Sequence, residues 1–269
     1  EEDNSKLFYV VNRDSDDLAT ATMRLFLGKQ LQCAKCHDHP FESWTQRDYY
    51  GMAAFFARTF VVEADGATEH IKKFYVGEKS TGDVGFTVVP KDAKPGTKGE
   101  PVKPQFLGGA KLQEPEIPKG FKEPKLKPKQ APPKPLFSRR EKVVEWITTR
   151  DNPYLARAAV NRIWAQFMGR GFVHPVDDLA EEDEGSHPAL FKAMEAGFVA
   201  NNFDMKWLIR EIVNSETYQV ADVGPSTDAL PKFYERARVR PLSVEELMAS
   251  LHVATGLGVE SALKSTPTK

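Results

Sequence analysis

Apolar side chains recur at helical spacing in the first and last thirds of the chain, but not in the middle. Residues 1–72 and 136–269 place them three and four positions apart, which is the pattern of amphipathic helices. Residues 90–135 hold 11 of the 19 prolines and many lysines, which favours extended, irregular chain. We therefore predict a mainly α fold: an irregular helical bundle in segments 1–72 and 136–269, with a long Pro/Lys-rich connection within 73–135.

Local signals mark where several of the predicted helices begin. A hydroxyl, amide or carboxylate side chain just before an apolar-periodic run can accept a hydrogen bond from the first turn of a helix. Such side chains predict helix starts at Thr45, Ser138, Asn152, Ser186, Asp204 and Ser243.

One short β-hairpin is predicted at the start of the middle segment. Residues 74–76 and 86–89 are rich in β-branched and aromatic side chains and are separated by glycines. This pattern is typical of a β-hairpin with a long turn.

Composition excludes several classes of protein. The chain has 269 residues and a formal net charge of −1, which gives no global argument for binding nucleic acid or an anionic membrane. No stretch approaches the roughly 18 consecutive apolar residues of a transmembrane segment. The chain begins at Glu1 without a leader, as a processed product does, so the missing signal is no argument against export.

Both cysteines lie in one C-x-x-C-H motif, Cys33 to His37. Two thiols three positions apart can each add to a vinyl group on one edge of a haem, and the adjacent imidazole can then ligate the iron. The motif therefore predicts a covalently bound haem c held by Cys33, Cys36 and His37. Phe41 and Trp44 can wall the ring with apolar surface, and ordinary core packing is the alternative for both.

Other roles for the motif remain open. A thioredoxin-type dithiol requires the motif at a helix start after a strand, whereas the residues before Cys33 have a helical pattern. Zinc is a second alternative, with Cys33, Cys36, His37 and His39 as ligands, although structural zinc normally uses two separated pairs. His39 lies too close to His37 to reach the opposite face of the same ring, so in a haem site it is predicted to act as a hydrogen-bond donor around the ligands.

The sixth iron ligand is the least determined part of the predicted site. We select His70, which lies in a polar stretch, 63–70, that can fold over one face of the ring. Other side chains of suitable type are His174, His187, His252, Met23 and Met52.

Several runs resemble a planctomycete family that joins a cytochrome-associated domain of unknown function (PSCyt-type) to a second, helical domain of unknown function (PSD-type). The resembling runs are residues 26–44, 49–58, 139–140, 151–154, 160–164, 169–171, 174–178, 208–210, 214–215, 218–219 and 241–247. Proteins of this family are longer at both ends, look exported and often carry a further cytochrome-like domain upstream. The resemblance implies haem and a periplasmic location, but it implies no substrate.

We therefore expect a periplasmic or otherwise exported c-type cytochrome fragment that transfers electrons through one haem. Its expected partner is a redox protein or an upstream cytochrome domain of the same longer chain. Neither nucleic acid nor a transmembrane segment is expected. The alternatives are a haem enzyme with an open sixth position that acts on peroxide or another small molecule, and a zinc-stabilised structural or binding module.

Overall fold

A computed structural model describes residues 4–64, 73–86, 99–180, 182–221, 231–237 and 241–256. Helices dominate these residues, and the strands are few and short, so the predicted mainly α fold is confirmed. The α-helices are α1 (Leu7–Val11), α2 (Ser15–Thr22), α3 (Gln46–Phe56), α4 (Arg139–Ile147), α5 (Leu155–Met168), α6 (Pro188–Ala200), α7 (Met205–Val213) and α8 (Val244–Thr255). The strands are β1 (Thr59–Glu63), β2 (Phe74–Glu78), β3 (Val84–Gly85) and β4 (Pro101–Val102).

Shorter helical turns connect these elements. One π-helical segment (Met23–Leu27) directly continues α2, and the 3₁₀ turns are Asn4–Lys6, Leu31–Lys35, Glu216–Gln219 and Pro231–Phe233. Among the helices that the structure describes, none combines the length and apolar character needed to cross a membrane.

A first hydrophobic core surrounds α3. Every residue of α3 from Tyr49 to Phe56 is buried, and α2 packs along it. Val143 and Ile147 of α4 belong to the same core, although α4 falls in the third predicted segment. Burying one large apolar side chain stabilises the fold by about 2 kcal/mol. The first core therefore extends across the predicted boundary at residue 135.

A second core lies between α5, α6 and α7. Trp164 stacks on Phe172 at 4.4 Å between ring centroids, and Phe172 stacks on Phe191 at 4.7 Å. Leu208 and Ile212 of α7 close the other side and are fully buried. These three helices form the C-terminal helical domain.

The predicted hairpin partner is wrong. Residues 74–76 do form a strand, but β2 pairs antiparallel with β1, in a register that sets Thr59 opposite Glu78. Strand β1 is a run of β-branched and aromatic residues that begins shortly after α3 ends, and it is the partner of β2. Val84 and Gly85 instead pair with Pro101 and Val102, while residues 87–89 lie outside the described residues.

Part of the predicted Pro/Lys-rich connection packs on the first core. Val102 and Leu107 are each 2% exposed, and Phe106 lies between the rings of Phe55 and Trp146 at 4.9 and 5.3 Å. Residues 99–114 therefore pack on the first core because they carry apolar side chains between the prolines. Residues 115–135 form no helix or strand and are mostly exposed.

The capping predictions are confirmed at four of the six helix starts. Thr45 and Ser243 form reciprocal capping boxes with Asp48 and Glu246, and Ser138 and Asp204 each accept from one first-turn amide. The Asn152 prediction is wrong, because α5 begins at Leu155 after Tyr154; Asn152 Oδ1 instead accepts from the amides of Tyr154 and Leu155 in the turn that leads into the helix. The Ser186 prediction is wrong, because α6 begins at Pro188 after His187 and no side chain caps it.

Candidate functional site

The C-x-x-C-H motif lies on the 3₁₀ turn Leu31–Lys35 and the residues directly after it. In a 3₁₀ helix the side chains at positions i and i+3 eclipse each other. Leu31 and Ala34 are buried on the inner side, whereas Cys33 and Cys36 are exposed and form no disulfide. Both thiols therefore emerge from one side of one turn. No strand precedes the motif among the described residues, so the setting differs from that of a thioredoxin-type dithiol.

The imidazole of His37 is exposed and makes one hydrogen bond to the backbone. Its Nδ1 lies 2.7 Å from the carbonyl oxygen of Asp38. Because a carbonyl oxygen can only accept, Nδ1 carries the proton and the lone pair remains on Nε2. Metal-ligating histidines almost always donate their other ring N–H in this way. The ring of His37 is thus prepared to ligate a metal through Nε2.

His39 is held in the opposite arrangement. Its Nδ1 accepts from the backbone amides of Phe41 and Glu42 at 3.3 and 3.0 Å. The Nδ1 lone pair is therefore engaged, and in the neutral ring the proton lies on Nε2. His39 organises the turn after the motif and can donate a hydrogen bond from Nε2, but in this tautomer it offers no lone pair to zinc.

The two aromatic residues after the motif have different surroundings. Phe41 is 91% exposed, and its ring lies 6.3 Å from that of His39. Trp44 is only 5% exposed and belongs to the first core, where its Nε1 donates to Glu42 Oε2 at 3.2 Å. Phe41 is therefore available to a ring bound beside the thiols, whereas Trp44 shows the core packing that was its alternative.

The candidates for a sixth iron ligand are dispersed. His70 lies outside the described residues. Met23 and Met52 are both 0% exposed within the first core, so neither sulfur can reach the surface near the thiols without unpacking that core. His187 lies in the C-terminal helical domain, with its ring 5.5 Å from that of Tyr234. His174 is exposed on the loop after α5, and His252 lies on α8.

No three His, Cys, Asp or Glu side chains come together as a preformed metal site within the part of the chain that the structure describes. A tetrahedral zinc site needs four such ligands, whereas a haem held by two thioethers requires only one imidazole from the motif. The motif itself contributes two exposed thiols and one exposed imidazole.

Sequence reasoning missed the contact between the motif region and the C-terminal helical domain. Asp177 accepts hydrogen bonds from Arg24 and Gln30, two residues that lie shortly before the motif. Burial alone would raise the pKa of Asp177, but these hydrogen bonds outweigh it and the pKa is lowered. The partners are about 150 positions apart, so no local pattern could have identified them.

Lys29 is the second residue that sequence reasoning missed. It is 3% exposed, and its ammonium lies between Leu179 of the C-terminal helical domain and Glu42 of the turn after the motif. The only local signal was Gly28, which has φ 65° and lets the chain turn sharply before Lys29.

Comparison with known proteins finds two family models, one at each end of the chain. No curated protein and no solved structure matches the chain. Residues 2–60, which include the C-x-x-C-H motif, match the family model PSCyt2, a protein of unknown function (DUF1549). Residues 139–266 match the family model PSD1, a protein of unknown function (DUF1553). The chain is thus similar to two planctomycete-type domains of unknown function, PSCyt2 followed by PSD1.

Proposed function

We propose that this chain is the c-type cytochrome part of an exported multidomain protein and transfers electrons through a single covalently bound haem. The observation that carries the proposal is the hydrogen bond of His37, whose Nδ1 donates to the carbonyl of Asp38 at 2.7 Å. This leaves Nε2 as an iron ligand beside the two exposed thiols of Cys33 and Cys36.

Attachment through the two cysteines needs no additional oxidant or reductant. Each thiol adds across one vinyl group, so that sulfur bonds to one vinyl carbon and the hydrogen ends on the other. When bound, the haem supplies a one-electron ferric/ferrous couple. The carbonyl of Asp38 orients the His37 ring and makes Nε2 more basic, which favours the oxidised iron.

The surroundings of the motif support a role that involves a partner. A haem on an exposed turn offers its edge to solvent and to other proteins, and Phe41, at 91% exposure, can cover part of it. Burying this ring would contribute about 2 kcal/mol. The partner is a redox protein or an upstream cytochrome domain of the same longer chain. The location is the periplasm or another exported compartment, because thioether attachment takes place on the export side of the membrane.

A second candidate function is small-molecule chemistry at an open iron position. It is favoured by the complete burial of Met23 and Met52, which removes both methionine candidates for the sixth ligand. A five-coordinate ferrous haem binds carbon monoxide and can react with peroxide, whereas a six-coordinate one resists both. The spectrum of the reduced protein with and without carbon monoxide therefore separates this function from simple electron transfer.

The test is production of the full chain with an export signal in cells that mature c-type cytochromes. We expect an intact mass raised by that of one haem and a pyridine haemochrome spectrum typical of two thioether links. Changing both Cys33 and Cys36 to Ala should abolish the attached haem. His187→Ala is the control, because this ring lies in the C-terminal helical domain and should leave attachment intact. A colourless exported protein whose two thiols both alkylate would refute the proposal.

A further inference from the structure

Lys29 is a buried cation at the contact between the motif region and the C-terminal helical domain. Its side chain is 4% exposed. The preceding carbonyl, that of Gly28, accepts from the amide of Leu179 at 2.8 Å. A Cβ on Gly28 would lie 2.3 Å from Leu179 Cδ1, and the φ of +65° would strain any other residue at this position. The tight contact presses Lys29 against the loop that carries Leu179.

The ammonium of Lys29 is satisfied from both sides of this contact. Nζ donates to the carbonyl of Leu179 at 2.5 Å and lies 3.5 Å from Glu42 Oε2. The rings of Trp44 and Tyr154 lie 5.6 and 5.9 Å from Nζ, a distance at which an aromatic face attracts a cation. The side chain of Glu42 is itself only 10% exposed, so this is a largely desolvated ion pair.

Glu42 in turn organises the residues that follow the motif. Its amide donates to His39 Nδ1 at 3.0 Å, and its Oε2 accepts from Trp44 Nε1 at 3.2 Å. The amide of His39 donates to the carbonyl of Trp44 at 2.8 Å, which closes residues 39–44 into one turn. A continuous series of direct contacts thus runs from Leu179 through Lys29 and Glu42 to a turn that begins two residues after His37.

We propose that Lys29 is a positioning residue through which the C-terminal helical domain holds the turn 39–44 and sets the reduction potential of the haem at the motif. This inference rests on the proposed function. Without the ammonium, the carboxylate of Glu42 is buried with no cation beside it, which is strongly unfavourable. The turn would then loosen, and an uncompensated negative charge in the turn that follows His37 would favour the ferric state of a haem held by that residue.

The test uses the full exported chain and the variant Lys29→Met, which keeps the length and apolar stem of the side chain but not its charge. We expect a lower reduction potential, seen as a roughly tenfold smaller ratio of reduced to oxidised protein at a fixed applied potential. We also expect faster exchange of the amides in residues 39–44. Lys29→Arg should retain the charge and recover most of both properties.

Two further variants make the test specific. Adding Glu42→Gln to Lys29→Met removes the uncompensated carboxylate while keeping an acceptor for Trp44 Nε1, so the potential should return toward that of the unmodified chain. If Lys29→Met does not fold, Glu42→Gln alone decides the matter, because removing the negative charge should raise the potential.

The matched control is Arg24→Ala. Like Lys29, Arg24 contacts the C-terminal helical domain, since it pairs with Asp177 at 2.6 Å. Its side chain is 52% exposed, however, and it does not belong to the series of contacts that reaches Glu42. Its removal should leave the potential and the exchange of residues 39–44 unchanged. Unaltered potential and exchange in Lys29→Met would overturn the inference while the attached haem stands. If no haem is attached at all, the proposed function fails, and amide exchange alone then decides the role of Lys29.

Discussion

At the scale of single residues, Asn161 fixes the loop that leads to Asp177 and Leu179. This side chain is 0% exposed. Its Oδ1 accepts from the amide of Val173, and its Nδ2 donates to the carbonyl of the same residue, both at 3.0 Å. One amide side chain thus satisfies a buried donor and a buried acceptor that lie outside any helix or strand.

Replacing Asn161 with Ala is expected to destabilise the fold by about 3 kcal/mol, because it leaves both backbone groups of Val173 buried without partners. Denaturant unfolding of the purified chain measures this change. Asn201→Ala is the control: its Nδ2 donates to the carbonyl of Gly197 at an exposed site, so its loss should cost under about 0.5 kcal/mol. Equal losses in the two variants would show that Asn161 has no special role.

At the scale of elements, two chemically equivalent capping boxes begin helices in very different surroundings. Thr45 caps α3, all of which from Tyr49 to Phe56 lies in the first core. Ser243 caps α8, in which no residue is buried. The same kind of cap therefore stabilises α3, on which the first core depends. It also stabilises α8, which has little tertiary packing among the described residues.

We expect Thr45→Ala to lower the free energy of unfolding of the whole protein by about 1 kcal/mol, since α3 unfolds only with its core. Ser243→Ala should leave that free energy unchanged and increase only the local opening of α8. Denaturant titration reports the first quantity, and amide exchange along α8 reports the second. A global loss in Ser243→Ala that matches the loss in Thr45→Ala would contradict this assignment.

These helix starts were predictable from the sequence because a cap joins residues two or three positions apart. The strand partner of β2 was not predictable from the sequence. The choice between residues 59–63 and 86–89 depends on where the end of α3 places residues 59–63 in space. In the same way, the motif identified Cys33, Cys36 and His37, but it could not reveal Lys29. The burial of Lys29 depends on Leu179, which is 150 positions away.

At the scale of the whole molecule, an ionic cluster joins the middle segment to the residues that follow α3 and to the start of α4. Arg139 is 0% exposed and donates to Glu114, to Asp83 and to the carbonyl of Ala54. Arg58 pairs with the same Glu114 at 2.9 Å. Two guanidinium groups thus share carboxylates from the irregular segment. The Pro/Lys-rich part of the chain is held to the core by charge as well as by apolar contacts.

The cluster makes the stability of the fold depend on pH, because its carboxyl groups must be ionised to pair with the two arginines. Burial alone would raise the pKa of Glu114, but the hydrogen bond and charge of Arg139 and the charge of Arg58 outweigh it, and this pKa falls below its ordinary value of 4.5. The pKa of Asp83 is lowered in the same way by Arg139 and Lys103, against its own burial. A carboxyl group with a lowered pKa in the folded state stabilises that state above its unfolded pKa, and this stabilisation is lost as the pH falls through the folded value.

The free energy of unfolding should therefore decrease between about pH 5 and pH 3, and Glu114→Gln should make that decrease smaller. At neutral pH the same variant should be less stable by about 3 kcal/mol, because Arg139 and Arg58 lose the carboxylate that they share. Glu116→Gln is the control, since Glu116 is exposed two positions further along and should change neither quantity. Denaturant unfolding of the three proteins across this pH range measures both effects. An acid-induced loss that is equal in Glu114→Gln and the unmodified chain would mean that other carboxyl groups cause it.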